Sequence, residues 1–277
     1  MKYFNTIIKK NILNVLACLL AVVFLLPLAW MIIVSLKPDG VSAVEIKDWI
    51  NFSDLTLDNY VKIITTSPIL RWTYNSFVIG ILTTVIELFV SSLAAYAFSK
   101  KVFKSKAFFY ILILSGLLIP AEAIMIPLYD TVLHLKLIDN IWGIILPCLT
   151  NPLGILIIKQ FMDGIPKDYM EAARLDGCKD LKLWLLICVP LTRSAMVSVG
   201  IYYFILSWNN FIWPYICITS QENMVLPTGL PTFLHNNILL VNTIMAASAI
   251  AAIPAMIIFV ILQKQIIQGV VMSGIKA

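Results

Sequence analysis

The chain has 277 residues, of which 60% are hydrophobic and only 13% are charged, and its mean hydropathy is +0.92. This composition excludes an ordinary water-soluble domain and indicates an integral membrane protein. The formal net charge of +5 does not indicate a nucleic-acid partner, because the basic residues lie in the loops and at the ends of apolar segments.

Six apolar segments are long enough to cross a membrane, since a spanning helix needs about 20 predominantly apolar residues. They are Ile12–Leu36, Trp72–Ser99, Ala107–Tyr129, Ile141–Met162, Ala195–Ile218 and Thr243–Leu262. The first is too long for a cleavable signal and has no small-residue cleavage site, so we expect it to stay as a membrane helix. The sequence therefore predicts an all-α integral membrane protein with six transmembrane helices.

The basic residues predict how these helices are oriented, because cytoplasmic loops carry an excess of Lys and Arg. With the N-terminus inside, the outer segments hold only five of the twenty basic residues, namely Lys37, Lys47, Lys62, Arg71 and Lys136. Both termini are therefore expected in the cytosol. We divide the chain into a first membrane helix with the first extracytoplasmic loop (1–71), a five-helix core (72–267) and a cytosolic tail (268–277).

Two carboxylates lie at membrane depth, Glu87 in the second segment and Glu122 in the third. An acid inside a membrane is costly unless it is paired or hydrated, so both are candidates for a translocation path. The alternative is a hydrogen bond between helices, or a protonated acid buried in the bundle. For Glu122 we favour a structural role beside Pro120, whereas for Glu87 both interpretations stay open.

The fifth segment carries the run Trp208-Asn209-Asn210 ahead of Pro214. These three side chains could offer aromatic and amide groups to the hydroxyls of a solute, which makes them further candidates for a translocation path. A packing corner at Pro214 would explain them equally well. Irregular, polar positions at membrane depth are typical of a bundle that lines a path.

A polar stretch, residues 165–193, separates the fourth and fifth apolar segments, and its many charges exclude it from hydrocarbon. Pro166, followed by Asp168 and Glu171, predicts the start of a short helix, because proline suits the first turn and acids suit the positive helix N-terminus. Asp176-Gly177 predicts its end, since glycine accepts a left-handed backbone. A second helical run from Lys179 is expected to end at Pro190.

The motif Glu171-Ala172-Ala173, with Asp176-Gly177 and the later Pro190, resembles the EAA loop of ABC importer permeases. Cys178 and Ser194 depart from the family pattern, which more often has Ala and Pro there. In that family the first helix of the loop is the coupling helix, which docks in a cleft on the cytosolic ATPase. The resemblance therefore implies a set of ATPase-coupling residues: Asp168, Glu171, Ala172, Ala173, Asp176 and Gly177.

Further stretches are similar to the carbohydrate-uptake branch of these permeases, the maltose-system type. They are Asn75-Ser76, Ala94–Ala97, Ile126–Tyr129, Trp208–Phe211, Leu226-Pro227 and Gly269–Lys276. The resemblance implies the type I ABC importer permease fold and sugar import across the cytoplasmic membrane of a prokaryote. It also implies three partners besides membrane lipid: a second related permease, an ABC ATPase dimer that holds ATP and Mg, and an extracytoplasmic solute-binding protein.

The chain contains no G-x-x-x-x-G-K-[ST] phosphate loop, no H-E-x-x-H motif and no cluster of metal ligands. We therefore expect neither an enzyme nor a resident cofactor or metal. Two other functions stay open. One is an ABC permease for glycerol-phosphate or another small polar solute, although an anionic cargo would favour basic residues inside the membrane. The other is an ATPase-independent secondary transporter or channel, in which the membrane acids would relay protons.

Overall fold

The computed structural model describes residues 2–39, 51, 54–149, 151–235 and 241–274, and within these ranges every regular element is helical. In chain order the helices are α1 (Lys2–Ser35), α2 (Asp58–Thr66), α3 (Ile69–Lys100), α4 (Lys106–Ser115), α5 (Met125–His134), α6 (Ile141–Cys148), α7 (Pro152–Asp163), α8 (Lys167–Leu175), α9 (Asp180–Leu183), α10 (Val189–Leu191), α11 (Arg193–Trp208), α12 (Ile212–Cys217), α13 (Leu226–Gly229), α14 (Thr232–His235) and α15 (Val241–Gly274).

The helices form two compact units. One comprises Met1–Ile69 and Leu230–Ile253, and the other comprises Leu70–Gly229 and Pro254–Ala277. The first unit therefore takes in the start of α15, which the sequence had assigned to the five-helix core. The predicted tail begins inside α15, which runs to Gly274.

Within the described ranges, two helices are long and apolar enough to cross a membrane unbroken: α1, over Asn11–Ser35, and α3. Three further spans are possible if each of three bent pairs counts as one. These are Lys106–Leu118 with Ala121–His134, Ile141–Cys148 with Pro152–Asp163, and Asp180–Leu191 with Arg193–Trp208, bent by 98°, 47° and 83°. The described part of α15 adds a shorter apolar helix, Val241–Ile257. An arrangement of six spans stays a prediction.

The third predicted span is interrupted rather than merely kinked. After α4 the chain forms a 3-10 turn, Gly116–Leu118, and Ile119 and Pro120 are extended, with ψ of 117° and 135°. The physical reason is that proline excludes the helical conformation for the residue before it and cannot donate a helical hydrogen bond. A second 3-10 turn, Ala121–Ile124, then leads into α5.

Two other predicted boundaries are wrong in detail. The run from Lys179 does not end at Pro190 but continues to Leu191, because a π-helical turn, Trp184–Cys188, opens the backbone just before the proline ring. The fifth predicted span, in turn, does not continue to Ile218 as one helix. It stops at Trp208, and the short helix α12 follows after a break at 209–211.

Two clusters of buried side chains hold the second unit together. One joins the C-terminal half of α3 to α7, α8, α9, the π-helical turn and α11, through Ala95, Ile158, Met162, Met170, Leu183, Trp184 and Tyr203 among others. The other joins the N-terminal half of α3 to α5, α6 and α12, through Ile79, Val132, Ile144, Ile145, Trp213 and Cys217 among others. Because α3 contributes to both clusters, it runs through the whole unit and positions the groups described below.

The first unit is tied together by buried amides at the C-terminal end of α1. The Asn59 amide donates to the carbonyl oxygens of Ser35 and Lys37, at 2.9 and 2.7 Å, and the Asn242 amide donates to Val34 at 3.1 Å. Such bonds satisfy carbonyls that a helix end leaves without partners. Most of the predicted outer loop between α1 and α2 lies outside the described residues.

Candidate functional site

The helix α8 lies at the surface of the second unit with one face buried and one exposed. Met170, which is 5% exposed, and Ala173 pack into the cluster of α3, α7 and α11. On the opposite face Glu171, Ala172 and Leu175 are exposed, and Leu175 reaches 90% exposure. The outer face of α8 therefore presents an apolar side chain beside carboxylates.

Gly177 ends α8 in a Schellman motif, in which two backbone hydrogen bonds close the last turn. The amide of Gly177 donates to Arg174 O and the amide of Cys178 donates to Ala173 O, each at 3.0 Å. Gly177 has φ of +81°, which an L side chain rarely adopts. The pair Asp176-Gly177 therefore turns the chain sharply between α8 and α9.

The 165–193 loop is tied to the C-terminal end of α3. Lys100 Nζ donates to Ile165 O at 3.0 Å, Lys101 forms an ion pair with Asp180, and Tyr96 Oη donates to Asp180 Oδ1 at 3.3 Å. The contact at Ile165 lies just before α8 in the chain, and the two contacts at Asp180 lie just after it. A displacement of α8 would therefore reach α3 through defined side chains as well as through the apolar cluster.

A cavity of about 820 Å³ lies within the same unit, between the middle of α3, the broken segment 116–125, α6 and the break after α11. Its polar lining comes from Thr83, Glu87, Glu122, Asn151, Tyr203, Ser207, Asn209 and Asn210. Its apolar lining includes Leu117, Ile119, Met125, Leu128, Leu206, Phe211 and Trp213. Among the described residues of its wall there is no Lys, Arg or His.

Four of the five sequence-predicted path residues fall at this cavity, and they differ in setting. Glu87 is 3% exposed, and its Oε1 accepts a hydrogen bond from the backbone N–H of Asn151 at 3.3 Å. Glu122 is exposed, in the 3-10 turn that follows Pro120. The Asn210 amide lies 3.7 Å from Cys148 Sγ, and the Asn209 amide donates to Ile205 O at 3.0 Å.

Trp208 is not part of the described cavity wall. It is 5% exposed, and its ring packs on Phe77 and Phe204, with ring centroids 4.8 and 5.8 Å away. These contacts give Trp208 a packing role at the end of α11 in this conformation.

Asn151, at the start of α7, connects three elements around Glu87. Its side chain caps α7 by accepting from the Leu153 amide at 3.0 Å, while its carbonyl accepts from Tyr203 Oη at 3.2 Å. Tyr203 Oη also lies 3.0 Å from Ser91 Oγ on α3. The tyrosine fits because position 154 is glycine, where an added Cβ would lie 1.8 Å from its hydroxyl. Sequence reasoning missed this network, because its partners are distant in the chain.

A second set of hydrogen bonds fixes the loop after α12. Asp139 Oδ1 accepts from the amides of Thr219 and Ser220, at 3.1 and 2.9 Å, and from Ser220 Oγ at 2.8 Å. Burial acts to raise the pKa of Asp139, but the hydrogen bonds from Ser220 and Thr219 outweigh it and lower that pKa below its ordinary value.

The same loop is held from its other side by the N-terminal end of α3. Trp72 Nε1 donates to Gln221 O at 2.7 Å, and the Asn75 amide donates to the carbonyls of Glu222 and Met224, each at 2.9 Å. Residues 219–224 are therefore held in a defined shape, although their own regular structure is a single 3-10 turn.

Known proteins resemble this chain over nearly its whole length. It is 33% identical over 263 residues to the arabinooligosaccharides transport system permease protein AraQ of Bacillus subtilis, covering 93% of this chain and 92% of the relative. It is 30% identical over 280 residues to the trehalose/maltose transport system permease protein MalG of Thermococcus litoralis, covering 98% of both. The crystal structure of a bacterial ABC transporter involved in the import of the acidic polysaccharide alginate contains a chain of the same fold. The TM-score is 0.83, the identity is 22%, and the match covers 93% of this chain and 96% of that one.

One protein family matches most of the second unit, including the 165–193 loop and every lining residue of the cavity except Thr83. Its description is binding-protein-dependent transport system inner membrane component, and the match covers residues 87–271. This match and the relatives together confirm the predicted all-α membrane permease fold. The chain belongs to the family of inner membrane components of binding-protein-dependent transport systems.

Proposed function

We propose that this chain is the permease subunit of an ATP-driven ABC importer that carries a sugar or oligosaccharide across the cytoplasmic membrane. Its family membership carries this proposal. A permease subunit is not itself an enzyme, because ATP hydrolysis belongs to the ATPase partners. The relatives named for arabinooligosaccharides and for trehalose and maltose support a saccharide as cargo.

The exposed face of α8 is the proposed contact with the ATPase. Ala172 and Leu175 allow close apolar approach, while Asp168, Glu171 and Asp176 offer carboxylates to cationic partners. Closure of the ATPase dimer would move α8, and the contacts of Ile165 and Asp180 with Lys100 and Lys101 would pass that movement to α3. The energy of hydrolysis would in this way reach the helix that carries Glu87.

The cavity is the proposed part of the translocation path in this subunit, with Glu87, Glu122, Asn209 and Asn210 along it and Trp208 as a packing support. Its described wall has carboxyl, amide and hydroxyl groups and no cation. This composition suits a neutral polyhydroxylated solute better than glycerol-phosphate, because a phosphate would require basic partners. Membership in a binding-protein-dependent family argues against an ATPase-independent transporter or channel.

The family implies an ATPase and a solute-binding protein as partners. We further propose that a second, related permease completes the path in the cytoplasmic membrane of a prokaryotic cell, with lipid around both subunits. Both termini and the 165–193 loop would face the cytosol, as the distribution of basic residues predicts. The loop at 219–224 would then lie on the outer side, where a binding protein delivers its sugar.

The test is a charge reversal on α8, Glu171→Lys, in the complete transporter reconstituted with its binding protein. We expect ATP-dependent sugar uptake to fall at least tenfold, because the lysine would repel the cationic ATPase residue that Glu171 is proposed to contact. The subunit itself should still insert into the membrane. Uptake of radiolabelled sugar and ATP hydrolysis are measured on the same vesicles.

The matched control is Lys104→Glu, which reverses an exposed charge on the same predicted inner surface but outside the 165–193 loop. We expect this control to keep uptake within twofold of the wild type. Normal uptake by a stably inserted Glu171→Lys variant would contradict the proposed coupling.

A further inference from the structure

One face of α3 carries a stripe of buried polar residues through an otherwise apolar helix. Ser76, Thr83, Glu87 and Ser91 follow one another at spacings of seven, four and four residues, which place them on one side of a helix, and all four are at most 4% exposed. Polar groups inside a membrane helix are costly, so each needs a partner or a purpose.

The two ends of the stripe have protein partners. Ser76 Oγ accepts from the Leu226 amide at 2.8 Å, and Ser91 Oγ lies 3.0 Å from Tyr203 Oη. These contacts explain the two serines as structural links to α13 and α11.

The middle of the stripe differs from its ends. Among the described residues, Thr83 Oγ1 is buried without a hydrogen-bond partner, and Glu87 accepts a single bond, from the backbone N–H of Asn151 at 3.3 Å. The neighbouring hydroxyl of Thr84 bonds back to Gly80 O at 2.7 Å, as hydroxyls in helices commonly do. A buried polar group that forgoes such a bond requires an explanation, and both Thr83 and Glu87 line the cavity.

We infer that the cavity contains a saccharide-binding subsite, in which Thr83 and Glu87 hydrogen-bond sugar hydroxyls within this subunit. The inference rests on the proposed function and adds a binding site to it. A volume of about 820 Å³ is within the usual range of ligand pockets, and it admits more than one sugar ring. Asn210 and Ser207 supply further polar groups, while Phe211 and Trp213 supply aromatic surface for the apolar face of a ring.

The experiment compares Thr83→Val with Thr84→Val in the complete transporter with its binding protein, in proteoliposomes. Valine keeps the shape of threonine, so each variant removes a single hydroxyl, and the two positions are neighbours on α3. ATP-dependent uptake of arabinotriose, maltotriose, trehalose and lactose serves as the probe, and co-purification of the ATPase checks assembly. We expect Thr83→Val to lower ATP-dependent uptake about twofold to tenfold, as for one lost hydrogen bond to the sugar, whereas Thr84→Val stays close to the wild type.

A second pair of variants tests Glu87. Glu87→Met removes its hydrogen bonds at similar length, and we expect a loss of at least tenfold, while Glu87→Gln restores most of the uptake because an amide can still bond hydroxyls. A purely structural role predicts no loss for Thr83→Val, since deleting an unsatisfied buried hydroxyl does not destabilise a fold.

The outcomes distinguish a failure of the proposed subsite from a failure of the proposed function. If the wild type carries none of the four sugars in an ATP-dependent way, the proposed function fails. If it carries one of them and Thr83→Val is unchanged, the subsite alone is overturned. Loss of uptake in Glu87→Gln equal to that in Glu87→Met would also overturn it, because an ionisable carboxyl rather than a neutral hydrogen-bonding group would then be required.

Discussion

Gly177 has the positive φ that ends α8, and an added Cβ at this position would meet no atom within 4 Å. The restriction to glycine is therefore one of backbone conformation and not of space. A left-handed backbone costs an ordinary L residue about 1–2 kcal/mol, whereas glycine adopts it freely. The turn that follows Glu171 and Ala172 thus depends on the backbone conformation of Gly177 alone.

We predict that Gly177→Ala destabilises the purified subunit by about 1 kcal/mol, whereas Gly164→Ala does not. Gly164 is the matched control because it ends α7 with φ of −71°, and its added Cβ would meet only Phe161 O, at 3.4 Å. Melting temperatures in detergent compare the two variants, with Gly177→Asn expected between them since asparagine tolerates the left-handed region. Equal melting temperatures for the two alanine variants would disprove the requirement for glycine.

At the scale of residues, the sequence predicted what is encoded locally. The end of α8 at Asp176-Gly177 follows from backbone preference, and it is correct. The setting of Glu87 did not follow, because its partner Asn151 lies 64 residues away. A search for polar residues at helical spacing would have found Thr83 and Ser91 beside Glu87, since that signal is present in the sequence.

At the scale of elements, apolar length identified where the helices lie but not where they break. The third and fourth segments were each predicted as one span, and the structure divides them with bends of 98° and 47°. The fifth was also predicted as one span, but its helix stops at Trp208 and a separate helix begins at Ile212. The prolines indicated the interruptions, whereas the angles depend on tertiary contacts such as those of the Asn151 backbone with Glu87 and Tyr203. Residues at the breaks line the cavity, among them Glu122, Asn151 and Asn210.

Asp139 connects the loop before α6 to the loop after α12, and its contribution to stability depends on pH. Its lowered pKa means that the native state stabilises the ionised form of Asp139 more than the unfolded chain does. The contribution of Asp139 to stability is therefore present above the unfolded pKa of about 3.9 and is lost as pH falls through the lower native pKa.

We predict that Asp139→Asn lowers the melting temperature of the subunit at pH 5 and above, and that its difference from the wild type narrows as the pH falls from about 4 to 3. Asparagine is the appropriate variant because residue 139 has φ of +57°, which it tolerates, and because it keeps one acceptor oxygen. Melting curves of both proteins across pH 3–6 provide the measurement. A difference that is constant over this range would mean that the charge of Asp139 contributes nothing.

At the scale of the whole molecule, the proposed coupling loop and the proposed saccharide subsite are both attached to one helix. The C-terminal end of α3 bonds the 165–193 loop through Lys100 and Lys101, its middle lines the cavity with Thr83 and Glu87, and its N-terminal end holds the 219–224 loop through Trp72 and Asn75. A rigid helix with these three attachments can relate events on both membrane surfaces to the state of the cavity. This arrangement requires the two loops to lie on opposite sides of the membrane.

Cysteine labelling tests that requirement directly. In a background with the five native cysteines replaced by alanine, we introduce Leu175→Cys on α8 and Thr219→Cys beside Ser220, both at exposed positions. A membrane-impermeant maleimide should label Thr219→Cys in intact spheroplasts and should reach Leu175→Cys only after the membrane is permeabilised, because the excess of basic residues holds the 165–193 loop inside. Labelling of Leu175→Cys in intact spheroplasts would reverse the orientation, and α8 could then contact no cytosolic ATPase.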